Sequence, residues 1–328
     1  GFSATPRKGE AAYAEVIAAV LRAAQRRHSA RDLERAVFVG DTLRSDGAAF
    51  ETLCAATGWR GRALICDEAA GAAPTMRWRG GLAQANAWQA LYAFQAALEA
   101  DEFHVDDRAV VVVDLDKTLL GARGRNHALI DQARLQALRD TVAAQLGNTF
   151  DADAFRSTYL ELDQARYHPL TADNQDYLAY LCVAIGAGAL TLADVQALSD
   201  AGRDFAYALE RAGAAFDATS SLGRFQNEIA ALVAAGDPTP FKNFRRREYV
   251  ETLARMGSLP DDAPPEQLLR EEIVLTHEVW QVARVWQSRG ALLFGLSDKP
   301  DEAAMPTGEA VAAGMQPLHR VQTHLVGI

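Results

Sequence analysis

The sequence predicts an α/β fold, a parallel sheet with a long helical block inserted between two of its strands. Three observations carry this. Short apolar runs, "AVFVG" (36–40), "RALIC" (62–66), "VVVVD" (110–114) and "ALLFGLS" (291–297), have the length and branched content of buried strands. Helical periodicity fills the segments between and around them. From about 122 to 275 the pattern changes to Ala- and Leu-rich helices with few strand candidates.

In chain order, residues 8–27 place Tyr13, Val16, Ile17, Val20 and Leu21 at helical spacing. "AVFVG" ends in a glycine turn, and "DGAAFETLCAATG" (46–58) reads as the next helix, stopped by Gly58. "RALIC" is closed by Asp67 and Glu68. Pro74 and paired glycines mark 68–81 as a loop that leads into a helix over 82–100. Polar residues 101–107 precede the valine strand. In the helical block, "LAYLCVAIGAGAL" (178–190) is too short to span a bilayer, and the helix-start signal "TLAD" follows it. It is expected to be a buried helix. Proline-rich breaks fall at 236–241 and 259–266. Residues 271–290 then read as a helix, 291–297 as a strand and "VQTHLVGI" (321–328) as the last strand.

The 328 residues, 49% of them hydrophobic, suffice for two domains or for one core with a large insertion. A net charge of −10 argues against a nucleic-acid partner, yet it permits a local cationic pocket for a small anion. Cys54, Cys66 and Cys182 show no metal-like spacing and no disulfide framework, which points to a reducing cytoplasm. No secretory leader pattern or membrane segment is read in the sequence. A homo-oligomer stays open.

In an open parallel sheet, chemistry collects beyond the carboxyl ends of the strands. Here the valine strand ends in Asp114 and Asp116, "ALLFGLS" ends in Ser297, and "AVFVG" is followed by Asp41 and Asp46. Lys8 opens the helix that feeds the Asp41 strand. Facing carboxylates repel unless a cation lies among them, and hard oxygen ligands suit Mg²⁺. Plainer readings exist for each residue. Asp41 could cap a helix, Ser297 could cap the next one, and Arg7 and Lys299 compete with Lys8. The basic run Lys242, Arg245, Arg246 and Arg247 reads as a solvated helix face.

"DLDKTLLG" (114–121) resembles the first motif of the haloacid dehalogenase superfamily, an apolar strand followed by DxDxT. "LLFGLSDKP" resembles its second motif, "GDTLRSD" its acidic fourth, and Lys8 in "TPRKGEAAY" the lysine of its third. The resemblance covers about half the chain. It implies a Rossmannoid core with a helical cap and Mg²⁺-dependent hydrolysis of a small phosphorylated metabolite. Asp114 would be the nucleophile and Asp116 the general acid and base. Asp114, the Asp116 carbonyl and Asp41 would hold Mg²⁺, with Asp46 in support. Ser297, Lys8 and Thr118 would make up the phosphate-binding set, with Thr118 also bracing the turn after the strand.

The motif order departs from that family. The third and fourth motifs lie at residues 8–46, ahead of the first and second at 114–297. Joining the two ends restores the order, so the sequence predicts a circular permutant. Its core would comprise 1–70, 109–121 and 276–328, with 71–108 as linker and connecting helix and 122–275 as cap. The expected sheet order is "RALIC", "AVFVG", "VVVVD", "ALLFGLS", "THLVG", all parallel, with Gly1 and Ile328 within about 17 Å of one another. A rival arrangement completes the site between two swapped chains. A DxD pair also suits a phosphotransferase or a glycosyltransferase that binds a metal–diphosphate, and a degenerate site would leave only a binding module.

Overall fold

The computed structural model describes residues 6, 8–69 and 71–327. Its strands are β1 (Arg35–Gly40), β2 (Arg60–Cys66), β3 (Met76–Arg79), β4 (Leu82–Ala85), β5 (Ala109–Asp114), β6 (Leu275–Thr276), β7 (Leu292–Leu296) and β8 (Leu325–Val326). Six of them form one sheet in the order β3-β4-β2-β1-β5-β7, parallel except at the β3–β4 hairpin. The chain is therefore α/β with a mostly parallel, Rossmann-like sheet. Its described residues divide into two compact units, an α/β unit (within 6–132, 254–299 and 320–327) and a helical unit (133–253 and 300–319).

The period of two along a strand decides how the α/β unit packs. Val37, Val39, Val111 and Val113 face one way, into a core with Phe94 and Leu98 of helix Ala90–Ala100 and Val282 and Trp286 of helix His277–Ser288. Phe38, Val110 and Val112 face the other way, onto Leu21 of helix Ala11–His28 and Phe50 and Leu53 of helix Ala48–Thr57. Strands covered on both faces need continuous apolar runs, and β5 is buried at every position.

The four central strands keep the expected order, and three segments depart from expectation. Residues 76–85 form a hairpin at Gly80 (φ +61°), where a loop and the start of a helix were expected. Leu82 and Ala83 suit a helix by composition, but β4 supplies the parallel partner that the β2 edge would otherwise lack. The last strand is not the fifth member of the main sheet. β8 pairs in parallel with β6, and Glu272 fixes that neighbourhood through His324 Nδ1 at 2.6 Å. Helix 277–288 accordingly starts six residues later than its apolar pattern suggests, because Ile273 to Thr276 run extended. Gly1, Arg7 and Ile328 lie outside the described residues, and so does the expected distance between the chain ends.

In the helical unit, helix Gln175–Gly186 is buried along most of its length, as its composition predicts. Thr191 and Asp194 then form a capping box on the next helix. The basic run is not a solvated face throughout. Arg245 is buried between Asp176 (2.7 Å) and Glu248 (2.7 Å), while Arg247 is half exposed beside Asp140. A buried carboxylate such as Asp176 needs a partner of that kind, and no feature of the local pattern announces it. No helix among the described residues is long and apolar enough to cross a membrane.

Candidate functional site

β1 and β5 lie side by side in the sheet, which brings their carboxyl ends together. Asp114 is the last residue of β5, and Asp41 follows Gly40 at the end of β1. The chain then makes a wide turn in which Gly47 N–H reaches the Thr42 carbonyl (3.1 Å), folding Asp46 back over the strand end. Gly40 is required there, because a Cβ on it would lie 2.6 Å from the Asp46 Cβ. Asp41, Asp46 and Asp114 are buried, with ligand oxygens all within 4.8 Å of one another.

The three carboxylates are not equivalent. Asp46 Oδ2 accepts from the N–H of Asp41 (3.1 Å) and from the N–H (3.0 Å) and hydroxyl (3.1 Å) of Thr42, while Oδ1 accepts from Lys8 Nζ (3.0 Å). Three donors thus crowd Oδ2 and one meets Oδ1, more than either other carboxylate of the cluster receives. Burial opposes its charge, but Lys8 and the Thr42 N–H hold Asp46 below the usual carboxylate range. It is the most heavily engaged member of the set. Asp114 accepts from Lys8 Nζ at 2.7 Å, and Asp41 accepts from Arg123 Nε at 2.5 Å. Burial pushes the Asp114 carboxyl up to about 8, although Lys8 pulls the other way. Burial likewise raises Asp41 to about 6 against the pull of Arg123. Burial also works against the Lys8 ammonium, but Asp114, Asp46 and Asp298 outweigh it and hold Lys8 above its ordinary value.

Beyond Asp114 the chain reverses within a few residues. Lys117 takes φ +65°, Leu119 N–H returns to the Asp114 carbonyl (3.3 Å), and Leu120 N–H returns to Leu115 (2.9 Å). Asp116 thereby lies one short turn from the strand end, with Lys299 Nζ 3.4 Å from its Oδ2. Ser297 follows Leu296, the β7 partner of Asp114, and its hydroxyl accepts from Lys299 N–H (3.0 Å).

The structure thus gathers Lys8, Asp41, Asp46 and Asp114 within one chain and sets Asp116 and Ser297 at adjoining strand ends. Lys8 rather than Lys299 contacts Asp114, and Lys299 pairs with Asp116. Asp41 is a member of the cluster and not a helix cap; the side chain that braces the local turn is Asp46. Thr118 is fully buried, its carbonyl accepts from Thr276 Oγ1 (2.6 Å), and its own hydroxyl has no partner among the described residues. Its backbone thus ties the turn after β5 to Thr276. Arg123 is the site residue that the sequence does not reveal. It lies beyond the motif, and nothing in its spacing points to Asp41. Two surface clefts, one beside Trp59 and one beside Phe103, share no residue with the carboxylate cluster. No family model, curated protein or solved structure matches the chain.

Proposed function

We propose that the protein is a Mg²⁺-dependent phosphatase for a small phosphomonoester, with an active site of the haloacid dehalogenase kind in permuted order. One observation carries the proposal. Three buried carboxylates converge within 4.8 Å around a lysine 106 residues away in sequence from the aspartate it contacts. A set of oxygens alone suits a hard divalent ion. Asp41 and Asp114 accept fewer hydrogen bonds than Asp46, so they would hold the ion with the Asp116 carbonyl, and Asp46, engaged by four donors, would add charge from behind. Bound there, Mg²⁺ would supply the positive charge that offsets the phosphoryl oxygens and keeps Asp114 ionised.

In the proposed reaction, an Asp114 carboxylate oxygen attacks phosphorus, and the bond from phosphorus to the leaving alcohol oxygen breaks. The Asp116 carboxylic acid protonates that oxygen. The Asp116 carboxylate then takes a proton from water as the water oxygen attacks the same phosphorus. The bond to Asp114 breaks and inorganic phosphate leaves. Lys8 and Ser297 offer donors to the phosphoryl oxygens, and Lys299 orients Asp116.

The deciding measurement is phosphate release by the purified chain from para-nitrophenyl phosphate and a panel of phosphorylated metabolites, with Mg²⁺ and with a chelator. Release that requires Mg²⁺ is expected. Transfer of the phosphoryl group to an added alcohol in place of water would indicate a phosphotransferase. Complete inactivity across the panel would leave a binding module and sink the phosphatase reading.

A further inference from the structure

We infer that Arg123 and the metal compete for Asp41, and that the Arg123 side chain, when it gives up Asp41, becomes a ligand for the phosphoryl group. The inference rests on the metal-dependent site proposed above. Among the described residues three cations stand beside the acids of this site, and they differ in freedom. The Lys8 side chain is 6% exposed and bridges Asp46 and Asp114; that of Lys299 is 4% exposed beside Asp116. Arg123 is 27% exposed, and among the described residues its guanidinium is held by Asp41 at 2.5 Å.

The Arg123 backbone, by contrast, is fixed. Its N–H donates to the Lys117 carbonyl (2.7 Å) and its carbonyl accepts from Trp88 Nε1 (3.2 Å). Next to it, Gly124 takes φ +79° and passes so close to the Glu68 carbonyl that a Cβ there would overlap it at 1.8 Å. A long side chain on a fixed root can change partner without disturbing the fold.

Electrostatics supplies the reason to change. Asp46 already accepts from four donors, so a cation entering the cluster draws more on Asp41 and Asp114. A guanidinium and a divalent cation on one buried carboxylate repel each other strongly at this separation. A planar guanidinium is also well matched to two phosphoryl oxygens, more so than the point charge of a lysine. Arg123 would thus stand aside for the metal and meet the substrate in the same movement.

The test is calorimetric and needs no turnover. The full chain is titrated first with Mn²⁺ alone, then, saturated with Mn²⁺, with inorganic phosphate, for wild type, Arg123→Ala and Arg123→Lys. Arg123→Ala should bind Mn²⁺ about three- to tenfold more tightly, since a competing ion pair of ordinary strength is gone. It should bind phosphate about tenfold or more weakly. Arg123→Lys should fall between on both. Unchanged or weaker Mn²⁺ binding by Arg123→Ala, or unchanged phosphate binding, overturns the competition and leaves the metal site standing. Wild type that takes up no Mn²⁺ overturns the metal site itself, and the competition with it. Should Arg123→Ala fail to fold, as judged by circular dichroism, Arg123→Lys and Arg123→Gln carry the same two readouts.

Discussion

Asp114 and Asp46 lie within a few ångströms of each other and have opposite tasks, which shows how far a residue's surroundings set its chemistry. Asp46 accepts from four donors that hold it ionised, so it serves the local turn. Among the described residues Asp114 accepts from Lys8 alone, which under the proposed function would leave it an oxygen for reaction. Asp114→Asn preserves shape and removes the attacking anion. Phosphate release should therefore vanish while the circular dichroism spectrum and melting temperature stay near wild type; near-normal turnover would refute the covalent route. Asp41 is tested through the metal. Wild type should melt higher in Mg²⁺ than in chelator, because a ligand that binds the folded state alone stabilises it. Asp41→Ala should lose most of that rise with little change in its chelator-treated melting point. A full Mg²⁺ response in Asp41→Ala would place the ion elsewhere.

At the scale of the element, the turn after β1 and the β6–β8 pair each depend on one buried carboxylate. Gly40→Ala would drive a methyl into Asp46, and overpacking of this kind costs about 1–3 kcal/mol. Metal binding should weaken along with stability, since Asp46 can yield only by leaving its turn. Glu272 performs the corresponding task near the chain's end. It accepts from the Ser258 hydroxyl (2.8 Å) and from the N–H groups of Ser258 and Leu259, and it meets His324. Burial works against its charge, yet His324 and these donors hold its carboxyl below the ordinary 4.5. A depressed folded-state value means that stabilisation is complete above about pH 4.5 and is lost as pH falls through the lower, folded value. Glu272→Gln should thus lose about 1–3 kcal/mol at pH 7 by urea denaturation, as an unmet buried donor does. The gap from wild type should close as pH falls below 4.5. A gap that stays constant with pH would mean that packing, and not charge, is what Glu272 contributes.

For the whole molecule the decisive fact is that one chain supplies both halves of the cluster. Residues 8–46 and 114 meet through the parallel β1–β5 pair, with Lys8 contacting an aspartate 106 residues away. Asp114→Asn and Asp41→Ala chains, each inactive alone, should therefore stay inactive when unfolded and refolded together. Activity regained on mixing would show that the halves are exchanged between chains. The helical unit is held by its own aromatic core around Tyr180, Phe205, Phe225 and Phe244, and by the Asp176–Arg245–Glu248 charges.

The sequence alone determined the central strands and the acids at their ends. Four short branched runs can be stable only when buried on both faces, and a parallel sheet is the arrangement that buries them. Their polar termini then had to share one end of that sheet, so Asp41, Asp46, Asp114 and Asp116 could be named from local pattern. Tertiary structure decided the rest. Whether Leu82 and Ala83 join a helix or a strand turns on the β2 edge, where they pair with Ala63 and Leu64, nineteen residues upstream. Intrinsic preferences differ by less than about 1 kcal/mol per residue, so such a long-range pairing overrides them. β8 joined β6 because Glu272 and His324 fixed that segment, a contact between residues 52 apart. Arg123 reached Asp41 across 82 positions on a flexible side chain. Periodicity records which face of an element is buried; it carries no record of where a long charged side chain ends, because that is set by whichever opposite charge the fold leaves within reach.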